Sequence, residues 1–395
     1  MIEVVGPWSG IEQQRFGRVL QRYEQQTGAR VAYIPAPDGV AAAIDARRAQ
    51  SQPTDVAFLP QPGLMRQYAR AGRLVPLDHA TADELARNYS RTWRDLGTVD
   101  GRLYGVWFKA ANKSLVWYNI SAFERLGVVP PTTVDGLLRL AGRLSAAGIT
   151  PFAVGAAQAW TLTDWFENLY LALEGPSRYR LLAEHRIPWT DGSVERTLQM
   201  LAQMLQPGYL AGGVRGTLGS DFITSVGDTF AVPPRAAMVS EGDFVAGIIT
   251  GNTPARLGVD ADVFRFPSAH ASSTAVIGGG DAAVLMSHSS AAASLIRYLA
   301  TPEAGSVWAA LGGFISPNLN VDPAVYPDEI TRSVALAVLD AGDSFLFDLS
   351  DLQPARFGST PGEGLFGELQ DFLVHRDVSL TAARLEAEAA TAYGS

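Results

Sequence analysis

Three short apolar runs near the start of the chain, Ile2 to Val5, Val31 to Ile34 and Asp55 to Leu59, are spaced by segments of helical periodicity. From Ile11 to Gln26 the apolar positions Phe16, Leu20 and Tyr23 fall on one helical face, and Gly28 follows as a cap. Gly39 to Gln50 and Gly63 to Arg70 continue the pattern, the latter ended by Gly72. Strand and helix signals in this alternation predict parallel strands joined by helical crossovers, an α/β architecture. In an open sheet of that kind a ligand lies outside the C-terminal ends of the strands, so the loops after strands are the places to look for function.

The run from Asp100 to Asn119 carries the next clue. Asp100-Gly101 is a turn dipeptide, and Leu103 to Phe108 and Ser114 to Tyr118 have the aromatic and branched residues of short strands. Between them lies the polar stretch Lys109-Ala-Ala-Asn-Lys113. Indole rings of Trp107 and Trp117 beside ammonium and amide groups offer an apolar face ringed by hydrogen-bond donors, which suits a sugar ring. The same residues also fit a buried hairpin whose lysines reach solvent. Helical patterns then dominate, at Ser121 to Leu126, Thr133 to Ala146, Thr163 to Leu173 and Val194 to Leu205. Phe264 to Pro267 and Thr274 to Ile277 are expected as strands, with helices at Ser290 to Leu299 and Pro302 to Leu311. At 395 residues, 47% hydrophobic and 18% charged, the chain has material for two cores, and two domains are expected.

Several function classes are disfavoured. A net charge of -9 with no basic run argues against a nucleic-acid partner. No stretch reaches the roughly 18 continuous apolar residues of a membrane span. With no cysteine there are no disulfides, thiolate metal sites or cysteine nucleophile. His79, His185, His270, His288 and His375 lack the i,i+4 spacing of a metal helix, and Gly-x-Ser-x-Gly is absent. Gly278-Gly-Gly280 is not followed by the lysine of a phosphate loop. A glycoside-acting enzyme would need a carboxylate pair, and none of the acidic residues forms an obvious one. No catalytic residue, cofactor or metal is therefore expected.

Taken with Asp55-Val-Ala-Phe-Leu-Pro-Gln-Pro-Gly63 upstream and Gly313-Phe-Ile-Ser-Pro-Asn318 downstream, the Asp100 to Asn119 segment resembles the extracellular solute-binding proteins (family 1) of ABC sugar importers, nearest the alpha-glucoside-binding branch. Val5-Gly-Pro-Trp-Ser-Gly10, Thr163-Asp-Trp165 and Ile277-Gly-Gly-Gly-Asp-Ala282 fit the same pattern in the same order. The resemblance implies a two-lobed periplasmic-binding-protein-like fold with discontinuous domains, residues 1–112 and 268–316 in an α/β lobe and residues 113–267 and 317–395 in a helix-rich lobe. Crossings near Lys109 to Trp117, Phe264 to Ser273 and Phe314 to Asn320 would act as a hinge, closing the lobes on an alpha-glucoside or related small saccharide that is released unchanged. It also implies an extracytoplasmic monomer that meets permease subunits of an ABC transporter. A lipidated N-terminal cysteine is common in such proteins; Met1 directly precedes the first strand, so the sequence is expected to begin at the mature part, without leader or anchor.

The expected ligand contacts follow from the strand ends and aromatic positions. Trp8 and Ser9 come after the first strand, where Ser9 is equally a helix cap, and Gln61 comes after the third, where it is equally a turn residue. Lys109, Asn112 and Lys113 are candidate donors, Gly279 and Gly280 would admit close backbone approach or form a turn, and Asp281 would anchor beside them. Trp107, Trp165 and Phe314 are expected as stacking or wall residues, chosen from a set that includes Trp117 and Trp160; Trp165 at helical spacing equally fits a core. Asp164 is a helix cap or an acceptor, and Glu241 and Asp243 place two acceptors in the loop after Ala236 to Val239. The alpha-glucoside branch often has a basic or amide residue where Ser240 and Glu241 stand. An acidic pocket would favour extra hydroxyls or an amine, whereas Lys109 and Lys113 would suit an acidic glucoside, and a polyol remains a further alternative.

Overall fold

The structure, a computed structural model, describes residues 1–37, 39–52, 54–268 and 275–394. Its strands, in chain order, are β1 (Ile2–Gly6), β2 (Val31–Pro35), β3 (Val56–Leu59), β4 (Thr98–Val99), β5 (Arg102–Leu103), β6 (Gly105–Asn112), β7 (Leu115–Asn119), β8 (Met238–Ser240), β9 (Ala261–Arg265), β10 (Val276–Leu285) and β11 (Phe345–Phe347). The chain divides into two units, Met1–Ala111 with Gly279–Phe345 and Asn112–Gly278 with Leu346–Ser395.

This division differs from the expected boundaries at three places, the first being Asn112, which begins the second unit. Residues 317–345, expected in the second lobe, belong to the first unit because their hydrogen bonds are made there. Asn318 Nδ2 donates to the Ala300 carbonyl at 3.0 Å, Leu319 N to the Asn88 carbonyl at 2.7 Å, and the Phe345 ring lies 4.6 Å from Trp93. Conversely, residues 275–278 belong to the second unit: Ile277 N donates to Ser114 Oγ at 2.9 Å, and Asp348 N donates to the Gly278 carbonyl at 2.8 Å. Thr274, and residues 269–273 of the expected crossing, lie outside the described residues.

In the first unit the sheet order is β10-β3-β1-β2, with β6 also paired to β10. β1 is parallel to β2 (Ile2 opposite Val31) and to β3 (Val4 opposite Val56), and β10 is antiparallel to β3 (Ala282 opposite Leu59). The helix Gly10–Thr27 makes the β1 to β2 crossover and ends at Gly28, whose φ of 71° is a left-handed conformation that glycine adopts without strain. Beneath it Trp8, Phe16, Phe58, Phe108, Trp308 and Phe314 form one aromatic core, Trp8 lying 4.5 Å from Phe58 and 4.8 Å from Trp308. Asp100 and Gly101, with φ of 49° and 77°, form the tight turn between β4 and β5 that the dipeptide predicts.

The expected hairpin between the tryptophan-bearing strands is absent. β6 runs through Lys109 to Asn112 and pairs with β10, while β7 pairs with β8 and β9, so the polar stretch is strand rather than loop and its two flanks join different sheets. The triple glycine is likewise the interior of β10, not a turn. A Cβ on Gly280 would sit 2.5 Å from the Lys109 carbonyl oxygen and 3.3 Å from Trp107 Cε3, so glycine is required there by the close approach of β6.

The second unit is built on the antiparallel sheet β8-β7-β9, with Val116 opposite both Ser240 and Phe264. Around it pack helices that include Val134–Ala146, Trp160–Ala183, Gly192–Met204, Gly364–His375 and Val378–Gly394. Their apolar stripes, among them Leu137, Leu144, Phe166, Leu198, Leu369 and Leu385, make a single core. The segment Trp160–Ala183 extends beyond the expected helix on both sides and is broken at Gly175 (φ 80°, ψ 170°), just before Pro176. Among the described residues no helix is long and apolar enough to cross a membrane.

Replacing Gly280 with alanine forces β10 away from β6. Urea denaturation should show a loss of about 1–3 kcal/mol; an unchanged midpoint would mean that the strands part without cost.

Candidate ligand-binding site

The second unit holds its polar groups in one buried cluster. Lys113, in the link from β6 to β7, bonds Asp164 Oδ1 at 3.2 Å and also Asp348. The two carboxylates are 2% and 1% exposed against 13% for the lysine, so three charges are withdrawn from water together. Burial opposes the Lys113 charge, but Asp164, Asp348 and Asp351 outweigh it and hold its pKa well above the ordinary value. Asp348 is also desolvated, yet Lys113 and a 2.6 Å hydrogen bond from Ser350 Oγ lower it to about 2. Its position follows from the local sequence, since Asp348 caps the short helix Leu349–Leu352 through the Asp351 amide.

Asp164 and Glu241 behave differently. Burial, and then the neighbouring Asp348, push Asp164 up to about 7 against the pull of Lys113. Glu241 is raised well above its usual range, first by burial and then by the charge of Asp164. Glu167, one turn beyond Asp164, is raised too, mainly by burial, and accepts from the amides of Leu349 and Ser350 at 2.7 and 3.0 Å and from Tyr179 OH at 2.8 Å. Asp164 Oδ2 and Glu241 Oε2 are buried without a hydrogen-bond donor among the described residues. The Glu241 loop is pinned by its neighbour: Asp243 Oδ1 accepts from Asn112 N at 2.7 Å, and Asp243 N donates to the Asn112 carbonyl at 3.0 Å. Beside the cluster stand Trp160, Phe222 and Phe244, all half-buried, with Trp160 to Phe222 at 5.2 Å, Phe222 to Phe244 at 5.3 Å and the Lys113 ammonium 5.7 Å from the Trp160 ring.

The first unit carries a smaller cluster. Lys109 pairs with Glu12 and lies 5.4 Å from the Trp308 ring. Asp281 accepts from Trp8 Nε1 at 3.2 Å. Burial raises Asp281 to about 6, with Lys109 opposing and Glu12 adding to the rise.

The structure therefore joins Lys113, Asp164 and Glu241, with Asp243 bracing the loop, in one cluster and Trp8, Lys109 and Asp281 in another. Trp165 is not a platform: it is 1% exposed and packs edge-on against Phe152 at 5.1 Å and Phe266 at 5.7 Å in the core. Phe314 is fully buried, stacked on Trp308 at 4.9 Å, and Trp107 is buried against Trp93 at 5.9 Å. Neither ring presents a face from its unit's core. Ser9 and Gln61 occupy helix N-cap positions without capping through their side chains, and Ser9 is exposed. Gly279 and Gly280 serve β10. Asp348, Glu167, Phe222 and Phe244 were not singled out from the sequence. Glu167 could have been found from its i,i+3 spacing to Asp164, and Asp348 from its capping pattern; nothing local marks the two phenylalanines.

A family model for bacterial extracellular solute-binding proteins matches residues 9–306. The chain belongs to this family. Like other bacterial extracellular solute-binding proteins it is an extracytoplasmic, sugar- or solute-binding component of an ABC importer and not an enzyme. The osmoprotective compounds-binding protein GgtB of Synechocystis is 33% identical over 366 residues, 91% of this chain and 86% of that protein. The alpha-glucosides-binding periplasmic protein AglE of Rhizobium meliloti is 31% identical over 373 residues, 91% and 81% of the two chains. Among solved structures, the bacterial solute receptor AcbH matches with a TM-score of 0.85 at 19% identity over 99% of this chain and 98% of its own. A chitin oligosaccharide binding protein matches at 0.82 and 20% identity, covering 100% and 99%. These two likenesses show the two-domain solute-binding-protein fold.

Lys113→Met would leave Asp164 and Asp348 buried without their cation. Equilibrium unfolding should show a loss of about 3–5 kcal/mol, whereas a loss below about 1 kcal/mol would show that the lysine does not hold the cluster.

Proposed function

We propose that this family member binds an alpha-glucoside or related small saccharide, unaltered, and delivers it to a permease pair of an ABC importer. The observation that carries this reading is the pairing, within the second unit, of half-buried Trp160, Phe222 and Phe244 with buried acceptors on Asp164 and Glu241 and the Lys113 ammonium. A pyranose presents C–H faces that pack on aromatic rings and hydroxyls that seek carboxylates, so both halves of its surface are matched. The alpha-glucosides in the name of the Rhizobium relative, which is similar over most of both chains, support the ligand class.

A thermal-shift screen of trehalose, maltose, sucrose, glucosylglycerate and simple polyols, with recovery and product analysis of each hit, tests the reading. A binding saccharide at a hundredfold excess over its Kd should stabilise the protein by roughly 2.7 kcal/mol and be recovered intact. Trp160→Ala should weaken that binding by about tenfold, roughly 1.4 kcal/mol. Cleavage of the sugar, or stabilisation by none of these compounds, would contradict the proposal.

A further inference from the structure

Lys109 and Lys113 are the only lysines among the 31 basic residues of the sequence; every other one is an arginine. A guanidinium group keeps its proton in proteins and forms no imine with a simple aldehyde, whereas a lysine amine does. The two side-chain amines of this chain are both buried and both ion-paired. Lys109 meets Glu12 in the first unit, and Lys113 meets Asp164 Oδ1 at 3.2 Å and also Asp348 in the second. Lys113 stands where a lysine ordinarily becomes a nucleophile, withdrawn from water and 5.7 Å from the Trp160 ring. Burial alone would remove its proton, but the charges of Asp164, Asp348 and Asp351 keep it in place.

We propose that Asp164 and Asp348 withhold the Lys113 amine from the aldehyde form of a reducing saccharide, and that breaking this clasp makes Lys113 a site of covalent sugar attachment. The reaction held off is a condensation. An unprotonated amine adds its lone pair to the carbonyl carbon, the C–O double bond opens, and loss of one water leaves a C=N bond between Nζ and the sugar. An ammonium group has no lone pair to give. The clasp therefore keeps binding reversible, which release of an unaltered ligand requires. The saccharide reading above enters only as the source of the aldehyde; the clasp is a property of this chain.

Both halves of the clasp are fixed by their own elements. Asp164 lies near the start of the helix Trp160–Ala183, and Asn168, one turn on, donates to the Lys113 carbonyl at 3.0 Å and to the Asp164 carbonyl at 2.8 Å. Asp348 accepts from Ser350 Oγ at 2.6 Å and from the Asp351 amide at 3.2 Å. Asparagine serves as well as aspartate at such a helix cap, so Asp348→Asn removes the charge and keeps the turn. Lys113 remains as buried in that variant, so protection that came from burial alone would be unchanged by it.

Reductive alkylation of the intact protein at neutral pH, with maltose and separately with glycolaldehyde, each with cyanoborohydride, reads the free amine, and peptide mass mapping assigns every adduct. In the unmutated protein Lys113 should react at least about tenfold more slowly than free Nα-acetyl-lysine in the same solution, and Asp348→Asn should speed its reaction about tenfold or more. Trehalose, which has no aldehyde form, should add to neither protein. Circular dichroism checks that the variant is folded; should it not be, Asp164→Asn removes the other charge in its place, and the rate in the unmutated protein remains a test on its own. Lys113 reacting as fast as the free lysine derivative, or staying inert in a folded variant, would overturn the clasp. Glycolaldehyde needs no sugar site, so the two readings fail separately. A reactive Lys113 in the unmutated protein removes the clasp and leaves the saccharide reading, whereas a screen in which no saccharide binds removes that reading and leaves the clasp.

Discussion

Lys113 is the group on which the second unit's polar interior depends. Among the described residues it is the one cation bonded into a buried set that includes Asp164, Asp348 and, beyond them, Glu167 and Glu241. The strong desolvation of these groups is tolerable because Asp348 is ionised against the lysine and hydrogen-bonded at its other oxygen, and because Glu167 accepts from two backbone amides and Tyr179. The cluster also ties together chain segments far apart in sequence: the link from β6 to β7, the helix that begins at Trp160, and the capped turn at Asp348. Position, charge state and connectivity thus have one origin.

The arrangement suits capture without chemistry. Asp164 and Glu241 each hold a buried oxygen, Oδ2 and Oε2, that has no donor among the described residues. What they offer is acceptor capacity with a fixed geometry, beside aromatic faces that remain half-exposed. The first unit is organised in a different way, around an aromatic core in which Trp8 contributes its ring to packing and its indole N–H to Asp281. A residue of that kind couples the polar cluster of its unit to the packing beneath it.

Much of the fold was legible because its signals are local. The parallel strands β1, β2 and β3, the left-handed glycine after the first helix and the Asp100-Gly101 turn all follow from residues within a few positions of one another. Partner choice is not local, which is why β6 and β7 look like a hairpin in sequence and instead enter different sheets. The site was half legible for the same reason. Lys113, Asp164 and Glu241 stand out as polar groups in apolar surroundings, but Trp160 and Trp165 lie on one helix, and only the packing of Phe152 and Phe266 decides that Trp165 is core while Trp160 stays half-exposed. Asp348 joins the cluster from the far end of the chain, and its local pattern announces a helix cap rather than a partner for Lys113.

The most direct measurement is a crystal structure of the protein grown with the saccharide that stabilises it most. The account predicts a sugar ring, uncleaved, lying against Trp160 with two of its hydroxyls within hydrogen-bond distance of Asp164 Oδ2 and Glu241 Oε2. Density for the sugar elsewhere on the molecule, with Trp160 and both carboxyl groups untouched, would contradict it.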